Sequence, residues 1–179
     1  MIYERRAMTQ KDVTVMAFQL EIAVFGAGCF WGVEEIIRTI SGVKNTTVGY
    51  CGGTLADPTY RDVSTGTTGH AEAIEIRFDP KIVSYETLLD YFFRLHDPTT
   101  HHRQGNDIGS QYRSVIFYQN EAQKSLAESK KQAVDASGVW KNPVVTEIVP
   151  AKPFYSAEDY HQDYLQKNPG GYSCHYLRE

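Results

Sequence analysis

At Gly28 the hydrophobic period of the chain switches from that of a strand to that of a helix. Residues 21–27 (EIAVFGA) form a short apolar run that fits a buried strand. Gly28 breaks it. From Cys29 onward, Val33, Ile36, Ile37 and Ile40 recur at the i, i+3, i+4, i+7 spacing of one helix face, and Gly42 supplies a stop. The pattern then repeats. Residues 43–50 read as a second strand, and a Gly- and Pro-containing loop runs from 52 to about 69. Residues 70–78 (HAEAIEIRF) alternate as a third strand. Ser84 is placed to cap a helix with the stripe Leu88, Tyr91, Phe92 and Leu95. A polar loop at 96–111 leads to a fourth strand at 112–118. Asn120 is placed to cap a polar helix to about 137, and 144–149 is a candidate fifth strand. Ser156 and Asp159 resemble a cap for a last short helix.

The first six elements run β-α-β-β-α-β. That order predicts an α+β fold, a two-layer α/β sandwich with a ferredoxin-like split βαβ core and its helices on one face of an antiparallel sheet. The elements after 118 are additions to that core. Residues 1–18 read as a disordered extension, 19–179 as a single catalytic domain, and 168–179 as its flexible Gly-rich tail.

The 179 residues suffice for one domain with a sizeable core. A hydrophobic fraction of 41% and a charged fraction of 22% fit a globular chain rather than a disordered one. The net charge of -4 gives no electrostatic reason to expect nucleic acid or an anionic membrane as partner. The most apolar early stretch, 13–25, contains Gln19 and Glu21 and is too short to cross a bilayer. Arg5 and Arg6 precede it without the apolar core and cleavage site of a signal peptide, so a cytoplasmic location is expected. Three cysteines, Cys29, Cys51 and Cys174, are too few and too odd for a disulfide scaffold. In a reducing compartment they are inert or catalytic.

Cys29 lies in G-C-F-W-G, where a strand turns into a helix. A thiol in a first helical turn meets unpaired N–H groups and the positive end of the helix dipole, which favours the thiolate. The alternative is a small buried apolar side chain. Gly28 and Gly32 permit close approach of other atoms. Phe30 and Trp31 pack the helix or, beside a nucleophile, clamp a methyl thioether, since sulfur–aromatic contacts contribute ~0.3–1.5 kcal/mol. Glu72 shares a strand face with Ile74, Ile76 and Phe78. A carboxyl there is raised in pKa by desolvation and suits a general acid, unless it reaches solvent at the strand end. Asp107, in G-N-D-I-G, reads locally as a turn residue, and Tyr60 and Tyr112 as packing or as phenolic donors. His101 and His102, with His96 and Asp97 nearby, lack zinc-site spacing, so no metal is expected. No spacing ties any of the six histidines to Cys29 as in a Cys–His hydrolase. Cys174 sits on the Gly-rich arm, where mobility would let it reach another sulfur, the alternative being an inert surface thiol; Cys51, at a strand end, reads as structural, the alternative being a second redox partner.

Several of these segments resemble the A-type peptide methionine sulfoxide reductases: G-C-F-W-G at 28–32, T-G-H-A-E-A at 68–73 and R-Q-G-N-D-I-G-S-Q-Y-R-S at 103–114, with H-D-P-T-T at 96–100 and G-Y-C-G-G at 49–53. Together they cover roughly 21–155 in the family's order. The resemblance implies Cys29 as nucleophile on the sulfoxide sulfur and Glu72 as the acid that protonates its oxygen. It implies Tyr60, Asp107 and Tyr112 as further hydrogen-bonding groups, and Gly28, Phe30 and Trp31 as substrate contacts. G-Y-S-C resembles tails whose cysteine, here Cys174, resolves the intermediate. No bound cofactor is implied; thioredoxin, or dithiothreitol in vitro, is the implied reductant, and oxidised proteins and free methionine sulfoxide the substrates. Reduction of one sulfoxide epimer by this enzyme class is a general rule of sulfur redox chemistry. Two departures touch the recycling route: Cys51 stands where Ala is frequent, and the tail carries one cysteine where several members carry two. A thiol peroxidase and a non-catalytic peptide-binding module are the competing expectations.

Overall fold

A computed structural model describes residues 19–179. The expected extension at 1–18 lies outside the described residues. The principal elements are β1 (Glu21–Ala27), α1 (Phe30–Ile37), β2 (Val43–Cys51), α2 (Tyr60–Ser64), β3 (Ala71–Phe78) and α3 (Tyr85–Leu95). They continue with β4 (Arg103–Gln104), β5 (Asp107–Ile108), a 3₁₀ turn at Ser110–Tyr112, β6 (Ser114–Tyr118) and α4 (Glu121–Ala136). β7 (Glu147–Pro150), β8 (Phe154–Ser156) and α5 (Tyr164–Lys167) complete the chain.

Six strands form one curled mixed sheet in the order β7-β6-β1-β3-β2-β8. Neighbours pair antiparallel except β6 and β7, which are parallel. A parallel pair needs a long crossover, and α4 supplies it. The expected all-antiparallel sheet is corrected at that edge. At the other edge β8 adds a strand where the sequence suggests a helix cap at Ser156. Ser156 ends β8, and the residue preceding α5 is Asp163, whose side chain makes no capping bond.

Phe25 from β1 meets Phe92 of α3 at 5.0 Å between ring centroids, and Ile37, Ile74, Ile76, Leu88, Leu89 and Ile116 close around them. The side chains of α1, α3 and α4 thus share one face of the sheet. The reverse face holds a smaller cluster of Val24, Cys51, Ala71, Ala73, Val115 and Phe117. Alternation along a strand explains the division: Phe25 and Val24 are neighbours that point opposite ways. Ser84 and Asn120 cap α3 and α4 as expected, accepting from the N–H groups of Thr87 and Gln123. Helix α1 ends earlier than its stripe, and Ile40 is buried in the turn that follows.

Candidate active site

Helix α1 starts at a glycine-made corner. Gly28 adopts φ +93°, which a side chain would resist. Cys29 then takes the position that would cap α1, but its side chain makes no capping bond. The first-turn N–H of Phe30, which has no partner within the helix, instead donates to Glu72 Oε2 at 3.1 Å. Glu72 therefore caps the helix from the neighbouring strand, which satisfies an end group and brings the carboxyl beside the cysteine.

Glu72 is 3% exposed, on the same face as Ile74 and Ile76, so the solvent-reaching alternative does not hold. Burial pushes its pKa up to about 8, opposed by the Phe30 N–H and assisted by the negative charge of Asp107. The carboxyl is protonated at neutral pH.

Cys29 is 7% exposed. The expected thiolate is corrected. Burial, with Glu72 next, pushes the thiol well above its ordinary range, and the Trp31 N–H only partly opposes this. Desolvation outweighs what the first-turn N–H can offer the thiolate. At rest this is a neutral thiol beside a neutral acid.

Phe30 takes the packing position that its place in the helix allows. It is 1% exposed and packed against Tyr50 at 5.9 Å and His161 at 5.2 Å, not displayed at the surface. Trp31 is half-buried, stacked on Tyr164 at 3.8 Å, and its Nε1–H donates to His161 Nδ1 at 3.0 Å. Glu158 accepts from the Tyr50 hydroxyl and from the Tyr60 N–H, each at 2.9 Å. The sequence reading missed Glu158 and His161. The only local signal, a Glu and a His three residues apart in A-E-D-Y-H, is indistinguishable from an ordinary helix start.

Tyr60 opens α2, and Tyr112 closes the 3₁₀ turn. Both phenols are raised by burial and then by the charge of Glu72, with Cys29 also contributing, so they belong to the same electrostatic cluster. Asp107, on the small β4–β5 hairpin, accepts from the Tyr172 hydroxyl at 3.2 Å and from Cys174 Sγ at 3.5 Å. The tail at 168–179 has neither helix nor strand beyond the last turn, yet it returns to this cluster. Cys174 is coupled electrostatically to Cys29, and burial with Asp107 pushes its thiol up to about 11.

Cys51 is separate. Its neighbour Tyr50 lies opposite Glu72 in the β2–β3 pair, so Cys51 points to the reverse face, where it is buried and its Sγ–H donates to the Lys152 carbonyl at 3.7 Å. His96 is a structural link, bonded to the Phe92 carbonyl and to Ser114 Oγ at 2.7 Å each, and burial lowers its pKa to about 3. Among the described residues no group of three His, Cys, Asp or Glu side chains is arranged to hold a metal, and no helix is long and apolar enough to cross a membrane.

The family model described as peptide methionine sulfoxide reductase matches residues 21–179. The chain is 60% identical over 148 residues to a peptide methionine sulfoxide reductase MsrA of Methanosarcina acetivorans, covering 83% of this chain and 79% of that one. Among solved structures, Mxr1 of Saccharomyces cerevisiae in reduced form is similar with a TM-score of 0.85 and 38% identity, over 90% of this chain and 93% of that one. Mxr1 in complex with Trx2 is similar with a TM-score of 0.63 and 27% identity, over 94% and 97%.

Proposed function

The chain belongs to the peptide methionine sulfoxide reductase A family and is a peptide-methionine (S)-S-oxide reductase, and from that premise we propose how its residues divide the work. Cys29 Sγ attacks the sulfoxide sulfur while Glu72 gives its proton to the sulfoxide oxygen. The thiol proton of Cys29 replaces the one that Glu72 gave up. The protonated oxygen then leaves the methionine sulfur as hydroxyl and bonds to Cys29 Sγ, while the Cys29–methionine S–S bond breaks with its pair going to the methionine sulfur. Methionine is released and a sulfenic acid remains on Cys29. Oxide is a poor leaving group without protonation, so a carboxyl held neutral by burial is the group this step needs. The observation that carries the reading is the Phe30 N–H to Glu72 Oε2 bond, which pins an uncharged carboxyl beside the buried thiol.

Tyr60, Tyr112 and Asp107 are the further hydrogen-bonding groups around the reacting oxygen. Gly28, Phe30 and Trp31 form the contacts for the methyl thioether. Cys174 then condenses with the sulfenic acid to a Cys29–Cys174 disulfide and water. An external dithiol attacks that disulfide at Cys174, the more accessible of the two sulfurs. Thioredoxin is the reductant this reading assigns, supported by the similarity to a relative solved with Trx2. Substrates are oxidised proteins and free methionine sulfoxide, and no bound cofactor takes part. The fold core is the ferredoxin-like split βαβ unit, supported by the strand order β6-β1-β3-β2. Residues 19–179 act as one catalytic domain with a tail at 168–179 that moves during the cycle. Three free cysteines suit a reducing compartment such as the cytoplasm.

Comparing methionine S-sulfoxide with hydrogen peroxide as oxidant, under dithiothreitol, tests the reading against the thiol peroxidase alternative. The buried acid and aromatic wall predict a kcat/KM for the sulfoxide larger by at least about 10²-fold, the size of one general-acid contribution. Equal or faster peroxide turnover would make this chain a peroxidase by preference.

A further inference from the structure

We propose that His175 is the general base of the resolving step, a reading that rests on Cys174 as the resolving cysteine. His175 Nε2 lies 2.7 Å from the Ala27 carbonyl oxygen. A carbonyl only accepts, so Nε2 carries the hydrogen. Burial lowers the pKa of the ring, which leaves it neutral with a free lone pair on Nδ1. Cys174 Sγ is 3.5 Å from that Nδ1, so its S–H has a basic acceptor fixed in the correct tautomer.

The same sulfur is 3.5 Å from Asp107 Oδ2, but that oxygen already accepts the Tyr172 hydroxyl at 3.2 Å. A carboxylate also repels the thiolate that deprotonation creates. The imidazole does the opposite: by taking the proton it becomes a cation beside the new anion.

The seat of this ring is built into the nucleophile's own motif. A Cβ on Gly32 would stand 2.7 Å from His175 Nδ1, and one on Gly28 would stand 3.3 Å from Nε2. The imidazole therefore lies across the first turn of the helix that Cys29 opens. The end of the tail is tied down as well: the Arg178 N–H donates to the Arg94 carbonyl at 3.0 Å, and its guanidinium lies over Trp140 at 5.2 Å. The titratable and charged groups that bear on His175 are Cys174 from the tail, Asp107 from β5, Arg178 from the chain end and His96 from the end of α3.

The step balances without an added oxidant. His175 Nδ1 takes the Cys174 proton. The thiolate pair forms the S–S bond to Cys29, and the S–O pair leaves with oxygen. The imidazolium returns its proton to that oxygen, which departs as water.

A single turnover with one equivalent of methionine S-sulfoxide and no reductant tests this. Methionine, dimedone-trapped sulfenic acid and the Cys29–Cys174 disulfide are followed together for wild type, His175→Gln and His175→Gly. The sulfenic acid, timed from the appearance of methionine, is expected to persist about 10²-fold longer in both variants. Added imidazole should shorten it again in His175→Gly, where the glycine seat is open, as a lost scaffold would not. Disulfide formation in His175→Gln at the wild-type rate, or a slow His175→Gly that imidazole leaves slow, overturns the proposal. If wild type itself yields methionine but no such disulfide, the resolving role of Cys174 fails, and the role of His175 with it.

Discussion

Glu72→Gln is expected to lower the rate of methionine formation by about 10²–10⁴-fold while leaving the fold intact. The amide keeps an oxygen to accept the Phe30 N–H and nearly the same volume, but it has no acidic proton to give. Initial rates of methionine release under dithiothreitol, with circular dichroism of the variant, measure both halves of the statement. An unchanged rate would remove Glu72 from the acid role. The wild-type pH dependence follows from the same carboxyl. Its pKa is about 8, so the acid form is present at neutral pH and is lost as pH rises through that value. Cys29 is held above Glu72, so its ionisation does not compensate in that range. The reduction rate should therefore fall above about pH 8, and the fall should be absent in Glu72→Gln. Stability carries the same sign. The folded pKa exceeds the ordinary 4.5, so the folded chain binds the proton more tightly than the unfolded one. This contribution is full below about 4.5 and declines as pH climbs toward 8.

Cys174→Ser is expected to convert a recycling enzyme into a single-turnover one when thioredoxin is the reductant. It should form one methionine per chain and then stop with a sulfenic acid on Cys29, against many turnovers for wild type. Dithiothreitol, small enough to enter the site, should restore part of the turnover. Counting methionine per chain with each reductant makes the comparison. Normal turnover with thioredoxin would mean that the reductant attacks Cys29 directly. Cys51 is a poor substitute, because it is buried on the reverse face of the sheet from Glu72.

The fold was legible where the period was long. The stripe of α3, the alternation of β3 and the caps Ser84 and Asn120 are local signals with one physical meaning each, and they hold in the structure. The sequence reading missed α2, β4, β5 and β8, which span two to five residues and are held by partners far along the chain: β8 exists because β2 offers it an edge. The site was legible in the same measure. The position of Glu72 on the buried face followed from strand alternation. The protonation of Cys29 did not, because a helix N-terminus is visible in sequence and the burial that opposes it is not. Phe30 turned inward because Tyr50 and His161, distant in sequence, made a place for it. Nothing within the tail shows that His175 would settle on Gly28 and Gly32.

The central claim is that a buried thiol at residue 29 reduces the sulfoxide with one handedness at sulfur. Separated S and R epimers of a methionine sulfoxide substrate, offered with dithiothreitol to wild type and to Cys29→Ser, test it most directly. Consumption of the S epimer alone, by wild type alone, is the predicted result; consumption of the R epimer, or of either epimer by Cys29→Ser, would contradict it.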